Sequence, residues 1–535
     1  MYRKLHLLVF FLGFFQFSDI FAQIPTPAFA NRYGGSGSDY GTALCTYPDG
    51  SSVFMGTFAS SITLGTTTHA SIGGSDAFVC KANAEGQVLW SKTLAGVGDQ
   101  VLSQVWVDVQ GQVYVVGEYN SASSFAGTTI LHVAGKEGMV AKLAADGTLI
   151  WVKTATNDAN ADYNELAVDG AGNVYAFGIF SGSLSLGNTD LTAVGSGNNL
   201  VVTKYNPQGD EEWAKRYGNG GSNALAIWVS AQGECTLAGD FLGAVTFGTT
   251  THTSNGISDV YLARLDVEGD PVWSHSFGGS SVDNTFGITG DAQGNLFVSG
   301  TFMQTMSIGT TSLTSNGDWD VFTAKFLPDG QPEWAVSYGG NTNDRANDIA
   351  VDASGNVYIY GWYQNTMTVG TTTLTSLGEY DVFLIKMQPN GVPIWAYSFG
   401  GNSFDVGAGI GLDAVGNLYM NGDFYSSNFT VGSINLSPQS GNDVFLVRLG
   451  TTPTAIQNEI TASEALIWIN SVNPGWLQVE VQANGRLQLV NLAGQSLFDG
   501  PLRSGTPLSI PSKGNLVLFR FRSDCKEDFG KWLGY

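Results

Sequence analysis

Residues Asp381 to Gly401 read DVFLIKMQPNGVPIWAYSFGG: an apolar run, a Pro-Asn-Gly turn, a second apolar run with one Trp, and a glycine pair. Nearly the same pattern begins at Asp320, as DVFTAKFLPDGQPEWAVSYGG, and at Asp259, as DVYLARLDVEGDPVWSHSFGG. A pattern that returns at a fixed interval is typical of a repeat architecture, and the interval indicates which one.

The repeat is 61 residues long. Two glycine columns each recur at six intervals of 61: Gly50, Gly111, Gly172, Gly233, Gly294, Gly355 and Gly416; and Gly56, Gly117, Gly178, Gly239, Gly300, Gly361 and Gly422. A Trp column follows at intervals of 61, 62, 60, 61 and 61: Trp90, Trp151, Trp213, Trp273, Trp334 and Trp395. The residue 61 before Trp90 is Phe29, in a segment FANRYGG that matches WAKRYGN, so seven repeats are predicted.

Each repeat reads as four short strands without a helix. In the sixth repeat the strands are NDIAVD, NVYIYGWY, DVFLIKM and PIWAYSFG, rich in Val, Ile, Tyr and Phe. The turn DASGN joins the first two, with Asp352 bonding its own backbone and Gly355 supplying a positive φ. The longer stretch between the second and third strands is expected to form a small extra hairpin. Such units in series predict a β-propeller.

The two ends of the array predict how the propeller closes. The array begins with a lone fourth strand around Phe29 and ends with a third strand, Asp443 to Leu449, that has no fourth strand after it. A ring needs this join because the last blade would otherwise keep an unpaired edge. We therefore expect an all-β fold: a seven-bladed β-propeller of four-stranded antiparallel blades, closed by the N-terminal strand in the last blade, followed by a small β-sandwich. The Trp column is expected to cover the outer strand and seal each blade edge.

The motifs of the array resemble a known family. The pattern D-[VA]-[FY]-[LV]-x-[KR], then G-x-x-x-W, then GG, then I-x-x-D-x-x-G-N-[VL]-[YF]-x-x-G is similar to the seven-bladed beta-propeller (SBBP) repeats of secreted bacterial proteins, over about residues 24–450. The fourth repeat departs most, with GECTLAGD, and the second and third replace the third-strand Asp by Glu137 and Asn198. The resemblance implies a secreted seven-bladed propeller.

The N-terminus indicates export. Within residues 1–22, Arg3 and Lys4 precede an apolar run from Leu5 to Phe17, which is typical of a signal peptide and too short to span a bilayer comfortably. No later stretch approaches about 20 apolar residues, so no transmembrane segment is expected. The mature chain is expected to be secreted or to lie on the outer cell surface.

The C-terminus indicates a second domain. After a polar linker, 451–464, the composition changes, and alternating strands over 465–535 predict the small β-sandwich. Val472-Asn473-Pro474 and Asn491 to Gln495 resemble the turns of the C-terminal sorting domain that the type IX secretion system of Gram-negative bacteria recognises. Where that family has a Gly-x-Tyr strand, this chain has GNLVLF. The resemblance implies the type IX machinery as a partner; the alternative is a β domain without a sorting role.

Composition limits the classes of partner. The 535 residues carry 46 acidic side chains against 23 Lys and Arg, a formal charge of −23. A polyanion is repelled by nucleic acid and by anionic lipid, so neither is an expected partner. The cysteines have no metal-ligand spacing and are expected to be buried thiols rather than a disulfide scaffold: Cys45, Cys80, Cys235 and Cys525.

Catalytic motifs are not found in the sequence. There is no G-x-S-x-G elbow, Walker A loop or H-E-x-x-H. The turn before the Trp differs from the sialidase Asp box, D-x-G-x-x-W, and quinoprotein dehydrogenases have eight blades. His69 and His252 share a column that holds Leu313 and Leu374 elsewhere, which favours packed or solvated histidines over a metal pair. We expect no catalytic residue, metal or cofactor.

The candidate ligand site lies after the glycine pair. Aspartates recur in one column there, and they predict either an acidic rim for a cation or a sugar hydroxyl, or Asx turns that cap each crossover. Arg345 and Trp362 belong to the sixth repeat alone, Trp362 standing where the siblings have Thr, Glu, Ile or Asp, and they suit a carbohydrate or a peptide. The predicted ligand-binding residues are Asp39, Asp283, Asp344, Arg345, Trp362 and Asp405.

These observations favour an exported, non-enzymatic propeller that acts as a binding or scaffold module at the cell surface or outside it, with a glycan or protein ligand. The alternative is a glycan-active hydrolase or lyase whose site lies at the mouth of the propeller channel.

Overall fold

The computed structural model describes residues 24–157 and 160–450 in full, and the backbone of strands between 467 and 532. Contacts divide the chain into two compact parts, Met1–Thr451 and Thr452–Tyr535. The expected signal peptide, the linker, the tail turns at 474–475 and 492–495, and Cys525 lie outside the described residues. Every regular element in the described residues is a β-strand, so this part of the chain is all-β as expected.

The first part opens with β1 (Thr26–Gly35), and its other strands follow the sequence repeats. Repeat 1 contains β2 (Asp39–Thr46), β3 (Ser52–Phe58), β4 (Ser61–Leu64), β5 (Thr67–Ala70), β6 (Asp76–Ala82) and β7 (Val88–Gly96). Repeat 2 contains β8 (Gln100–Val107), β9 (Val113–Tyr119), β10 (Ser123–Phe125), β11 (Thr128–Ile130), β12 (Glu137–Leu143) and β13 (Leu149–Asn157). Repeat 3 contains β14 (Asn160–Val168), β15 (Val174–Ser181), β16 (Ser183–Ser185), β17 (Asp190–Thr192), β18 (Asn199–Tyr205) and β19 (Glu211–Tyr217).

The remaining repeats have the same plan, with the hairpin strands fused to their neighbours in repeat 5. Repeat 4 contains β20 (Ala226–Val229), β21 (Cys235–Phe241), β22 (Ala244–Phe247), β23 (Thr250–Thr253), β24 (Asp259–Leu265) and β25 (Pro271–Gly279). Repeat 5 contains β26 (Asp283–Gly290), β27 (Leu296–Ile308), β28 (Thr311–Phe326) and β29 (Pro332–Tyr338). Repeat 6 contains β30 (Asp344–Val351), β31 (Val357–Tyr363), β32 (Thr366–Val369), β33 (Thr372–Thr375), β34 (Asp381–Met387) and β35 (Pro393–Phe399). Repeat 7 contains β36 (Asp405–Leu412), β37 (Leu418–Phe424), β38 (Phe429–Val431), β39 (Ile434–Leu436) and β40 (Asp443–Gly450).

Each repeat forms a four-stranded antiparallel sheet in which the strands are neighbours in chain order, as in β30-β31-β34-β35. Repeat 7 takes its fourth strand from the N-terminus, because β1 pairs with β40. Phe29 lies opposite Arg448 and Arg32 opposite Phe445, and Arg32 also forms an ion pair of 2.9 Å with Asp443. The predicted pairing of residues near Phe29 with the last third strand is therefore present.

The expected extra hairpin is present, and it belongs structurally to the repeat before its own. Strand β10 pairs with β7, β16 with β13, β27 with β25, and β4 with β1. A methyl group on Gly35 would lie 1.8 Å from the Ser61 carbonyl oxygen, and one on Gly340 would lie 1.7 Å from that of Thr366. The second glycine of each such pair thus lets the hairpin backbone reach and cover the edge of the preceding fourth strand.

The two glycine columns have different causes. Members of the first column have φ between +79° and +90°, and Asp352 accepts the N–H groups of Ser354 and Asn356 at 2.9 Å, as predicted for the DASGN turn. Members of the second column face a β-bulge in the first strand: a methyl group on Gly361 would lie 2.0 Å from the Arg345 carbonyl oxygen. Both columns are therefore requirements of the backbone.

The Trp column joins consecutive repeats, which corrects the expectation that it seals the edge of its own blade. Trp334 donates its indole N–H to the Pro389 carbonyl at 3.0 Å, and its ring packs on Gly391 in the same turn of repeat 6. Trp395 has no such bond among the described residues. The turn that would receive it is missing, because the fourth strand of repeat 7 is β1. The other indole bonds are Trp90 to Ala145, Trp151 to Pro207, Trp213 to Val267 and Trp273 to Pro328.

A second column consists of Lys and Arg residues of the third strands. Each cation lies over an aromatic ring, 4.2 to 5.7 Å from its centroid: Lys81 on Tyr47, Lys142 on Tyr114, Lys204 on Tyr175, Arg264 on Trp228, Lys325 on Phe297, Lys386 on Tyr358 and Arg448 on Tyr419. The start of the third strand needs one correction. Asn199, not Asn198, occupies the Asp position of repeat 3, since it pairs with Phe180 as Asp76 pairs with Phe58.

The prediction of buried thiols is confirmed for Cys80 and Cys235, whereas Cys45 is half-buried. Cys45, Cys80 and Cys235 are free, with Cys80 and Cys235 buried, and β3 separates the strands that carry Cys45 and Cys80. In the part of the chain that the structure describes, no helix has the length and apolar character needed to cross a membrane.

The second part contains two antiparallel sheets. Its strands are β41 (Ile467–Asn473), β42 (Trp476–Val481), β43 (Gly485–Asn491), β44 (Ser496–Leu502), β45 (Leu508–Pro511), β46 (Val517–Ser523) and β47 (Glu527–Trp532). The sheets have the orders β41-β42-β45 and β44-β43-β46-β47. The described chain as a whole is an all-β protein whose first part has a propeller-like repeat fold.

We predict that Trp334→Phe lowers the free energy of unfolding by about 1 kcal/mol, since it removes the hydrogen bond to the next repeat and retains most of the ring. Trp106→Phe is the control and should cost less, because Trp106 is 37% exposed and its indole has no carbonyl partner among the described residues. Urea unfolding followed by fluorescence measures both. A larger loss for Trp106→Phe than for Trp334→Phe would contradict the bridging role.

Candidate ligand-binding site

The predicted aspartates are buried. Asp39, Asp283, Asp344 and Asp405 begin the first strands of repeats 1, 5, 6 and 7, and each is 0% exposed. One oxygen of each accepts the N–H of the glycine four residues earlier, from 2.6 Å at Asp283 to 2.9 Å at Asp39. They therefore cap the crossovers, which agrees with the turn interpretation. The interpretation as an acidic rim open to solvent is corrected, because the crossover backbone and the extra hairpin cover the carboxylates.

Each buried aspartate faces a second one from the repeat before it. A methyl group on Gly278 would lie 2.6 Å from Asp259 Oδ1 and 2.8 Å from Asp283 Oδ2, so this glycine separates the two carboxylates. Burial raises the pKa of Asp283 to about 7, and the charge of Asp259 adds to the rise. Burial likewise raises the pKa of Asp344 to about 8, and Asp320 adds to it. Equivalent pairs are Asp39 with Asp443 and Asp405 with Asp381.

These pairs occupy one half of the repeat series. At the first-strand position, repeats 2, 3 and 4 have Gln100, Ala161 and Ser222 instead of Asp. Two buried carboxyl groups thus meet where repeat 4 joins repeat 5, where 5 joins 6, where 6 joins 7, and where 7 contacts 1. Each of the other junctions has at most one buried carboxyl group at these positions. The substitution pattern is visible in the sequence, but the burial is not.

We predict that the folded protein becomes less stable as pH rises from 5 to 8. The carboxyl pKa values are about 6 to 8 when folded and about 3.9 when unfolded, so the folded state binds more protons in this window. Each such group lowers the free energy of unfolding by up to about 1.4 kcal/mol per pH unit. Urea titrations of Asp344→Asn should show a smaller decline than the parent. Asp329→Asn, at an exposed turn, is the control. An unchanged decline in Asp344→Asn would contradict the assignment.

Arg345 and Trp362 lie together, as the candidate site required. They are direct cross-strand partners at the end of repeat 6 where the crossovers lie, which we call the crossover face. The Arg345 guanidinium stacks 4.0 Å from the centroid of Phe286, which sits in the bulge of the neighbouring first strand. Arg345 is half-buried, and its Nε is buried without a hydrogen-bond partner. Burial lowers the pKa of Arg345 from its usual value.

Three aromatic rings form a continuous strip beside this arginine. Trp362 and Tyr380 have ring centroids 4.5 Å apart, and Tyr380 and Phe404 have centroids 5.2 Å apart. The strip crosses from repeat 6 to repeat 7, because the backbones of Tyr380 and Phe404 form a parallel bridge. Phe404 is 44% exposed. We call Trp362, Tyr380 and Phe404 the aromatic strip. Sequence reasoning identified Trp362 but missed Tyr380 and Phe404, each of which directly precedes a recurring aspartate of the repeat.

The columns of Arg345 and Trp362 hold acidic residues in other repeats, which the sequence reasoning missed. In repeats 2 and 3 the positions of Trp362 and Arg345 are taken by Glu118 and Asp162. Lys136 Nζ lies 2.7 Å from Glu118 and 4.0 Å from Asp162. Burial raises the pKa of Asp162, and its contact with Glu118 raises it further. The same two columns that single out Arg345 and Trp362 also carry this signal.

Polar residues also line the bulges of the first strands. Glu165 accepts a hydrogen bond of 3.1 Å from Gln104, and Asp348 accepts the N–H groups of Ile349 and Ile410. Burial raises the pKa of Glu165 to about 8, and the charge of Asp348 contributes to the rise. At this position repeats 1, 4, 5 and 7 have Ala or Gly, and repeat 2 has Gln104, the residue that bonds Glu165.

The histidines pack as predicted. His69 and His252 each share a hydrogen bond of 2.8 Å with a serine of their own fourth strand, Ser91 and Ser274. Within the described ranges, no group of three or more His, Cys, Asp or Glu side chains is placed to hold a metal ion.

No family model matches the chain. Two curated proteins are similar to it: the regulatory protein FlaEY of Caulobacter vibrioides, 25% identical over 369 residues, and an uncharacterized WD repeat-containing protein of Acanthamoeba polyphaga mimivirus, 22% identical over 442 residues. The matches cover 64% and 66% of this chain, but only 37% and 32% of those proteins. The chain thus spans about a third of the length of these relatives.

Two solved structures resemble the model only remotely. One is the full extracellular region of plexin A4, with a TM-score of 0.31 and 7% identity, covering 81% of this chain and 66% of that one. The other is a mutant of the GH43 protein BlXynB from Bacillus licheniformis, with a TM-score of 0.26 and 8% identity, covering 79% of this chain and 97% of that one.

Proposed function

We propose that the chain is an exported, non-enzymatic binding protein built as a closed seven-bladed propeller of the SBBP type. The continuity of the strand contacts supports closure. First strands of consecutive repeats touch, and β2 touches β36 and β37 of the last repeat. The pairing of β1 with both β40 and β4 links the two ends in the same way.

The observation that carries the binding function is the aromatic strip beside Arg345. Phe404 is exposed, and Trp362 and Tyr380 are half-buried. The ring surface that faces water is costly to leave there, and it offers a flat apolar contact to a ligand. The strip arises from residues that differ from those of the sibling repeats, so the shared requirements of the fold do not account for it. A glycan or a peptide segment would lie along it at the crossover face.

The hydrolase or lyase alternative would need two acidic groups at a working distance. Glycosidases place their carboxyl groups about 5 to 9.5 Å apart, so that a sugar or a water fits between them. Lys136 Nζ lies 2.7 Å from Glu118 and 4.0 Å from Asp162, so one ammonium group contacts both carboxyl groups. We therefore assign Glu118 and Asp162 a structural role at the crossover face.

We predict that the exported chain is retained on at least one member of a panel of immobilised polysaccharides without releasing new reducing ends. Trp362→Ala should reduce retention about tenfold, because it removes the ring at the Arg345 end of the strip. Trp106→Ala is the matched control, as a tryptophan 37% exposed elsewhere on the first part. New reducing ends would show an enzyme, and equal losses in both variants would contradict the assigned site.

We also propose that residues 465–535 act as a type IX sorting domain and that residues 1–22 act as the signal peptide. The support is the resemblance of the tail motifs and the charged, then apolar, start of the chain. Deletion of 465–535 should leave the protein in the periplasm of its Gram-negative host, as measured by fractionation and protease accessibility. A truncated protein that still reaches the cell surface would identify the tail as a β domain without a sorting role.

A further inference from the structure

Arg345 is a charge without a counterion. Among the described residues, no side chain or carbonyl forms a hydrogen bond or ion pair with its guanidinium, and its described partner is the ring of Phe286. A guanidinium does not lose its proton in a protein, so the charge persists although it is half-buried. Five N–H donors are therefore held at the crossover face with no acceptor assigned to them.

The nearest carboxyl group does not serve this arginine. Asp344 is adjacent in the strand, but successive strand residues point to opposite faces, and Asp344 is 0% exposed with one oxygen on the Gly340 N–H. The equivalent residues in the neighbouring repeats are Asn284 and Val406, which carry no charge. The acceptor that Arg345 lacks must come from outside the described chain.

The aromatic strip begins at the cross-strand partner of this arginine. Trp362 pairs with Arg345 in register, and the strip continues through Tyr380 to Phe404. The C–H face of a pyranose ring packs well on an aromatic ring, whereas its edge groups remain free to bond neighbours. A carboxylate on that edge matches the planar fork of the guanidinium, which binds carboxylates through two parallel hydrogen bonds.

Building on the proposed binding function, we propose that this site recognises a sugar residue that bears a carboxylate, of the uronic-acid type, with its ring on the aromatic strip and its carboxylate on Arg345. The surroundings set a limit on the charge of the whole ligand. The net charge is −23, and the columns of Arg345 and Trp362 hold Glu118, Asp162, Asp240 and Asp423 in other repeats. This negative charge repels a dense polyanion, so the ligand is a largely neutral glycan with isolated acidic residues.

The test compares two disaccharides that differ in a single group, cellobiose and cellobiouronic acid, by calorimetric titration of the full exported chain. We expect the acid to bind at least about tenfold more tightly, as a charge-assisted bidentate contact would give. Arg345→Gln should bring the ratio of the two affinities to about one, whereas Arg345→Lys should retain part of the preference for the acid. Melting curves establish that each variant is folded.

The outcomes separate this inference from the proposed function. Equal affinities for the two sugars, both abolished by Trp362→Ala, would overturn the carboxylate assignment and leave a sugar-binding strip. Preference for an acidic peptide of matched charge over both sugars would overturn it in favour of a protein ligand. If neither disaccharide, peptide nor polysaccharide panel binds, the proposed binding function fails together with the inference.

Discussion

The first part of the chain depends on how closely the backbone of one repeat can approach the next. A four-stranded sheet leaves its outer strand with unpaired N–H and C=O groups, and here the hairpin of the following repeat pairs with that strand. Glycine stands at most of these contacts, as at Gly35 and Gly340, where any side chain would collide with a carbonyl oxygen. The pairing of β13 with β16 is an exception, because Thr156 and Asn157 take the place of the glycines there. Gly400 and Gly401 are the equivalent pair of repeat 6, and they too lie at a contact with the next repeat.

Features with a strict period were readable from the sequence. The interval of 61 residues gave the strand order, the DASGN turn geometry and the pairing of β1 with β40, because each follows from local chemistry repeated in register. The Trp spacing of 62 and then 60 residues also indicated one extra residue in repeat 3. Because of it, Asn199 and not Asn198 is equivalent to the third-strand aspartates. That signal was missed because a single inserted residue leaves the glycine columns in phase.

Contacts between repeats were harder to foresee. Periodicity predicts which residues are equivalent but not which surface they meet, so the Trp column was assigned to its own sheet instead of the next turn. Burial of the aspartates could not be read from the sequence either, since an Asx turn may lie in solvent or under a hairpin. For the ligand site, Arg345 and Trp362 were found by their departure from the repeat, whereas Tyr380 and Phe404 join them only through the bridge between two crossovers.

The N-terminal strand has a consequence for the order in which the molecule is made. Arg32 and its partner Asp443 are 411 positions apart, so the segment that leaves the ribosome first has its sheet partner among the last of the array. Contacts between residues so far apart in sequence form slowly, because the chain must lose the conformational entropy of a large loop before the new hydrogen bonds compensate for that loss. Until β40 has been synthesised, β1 lacks its sheet partner, and the four-stranded sheet of repeat 7 stays incomplete.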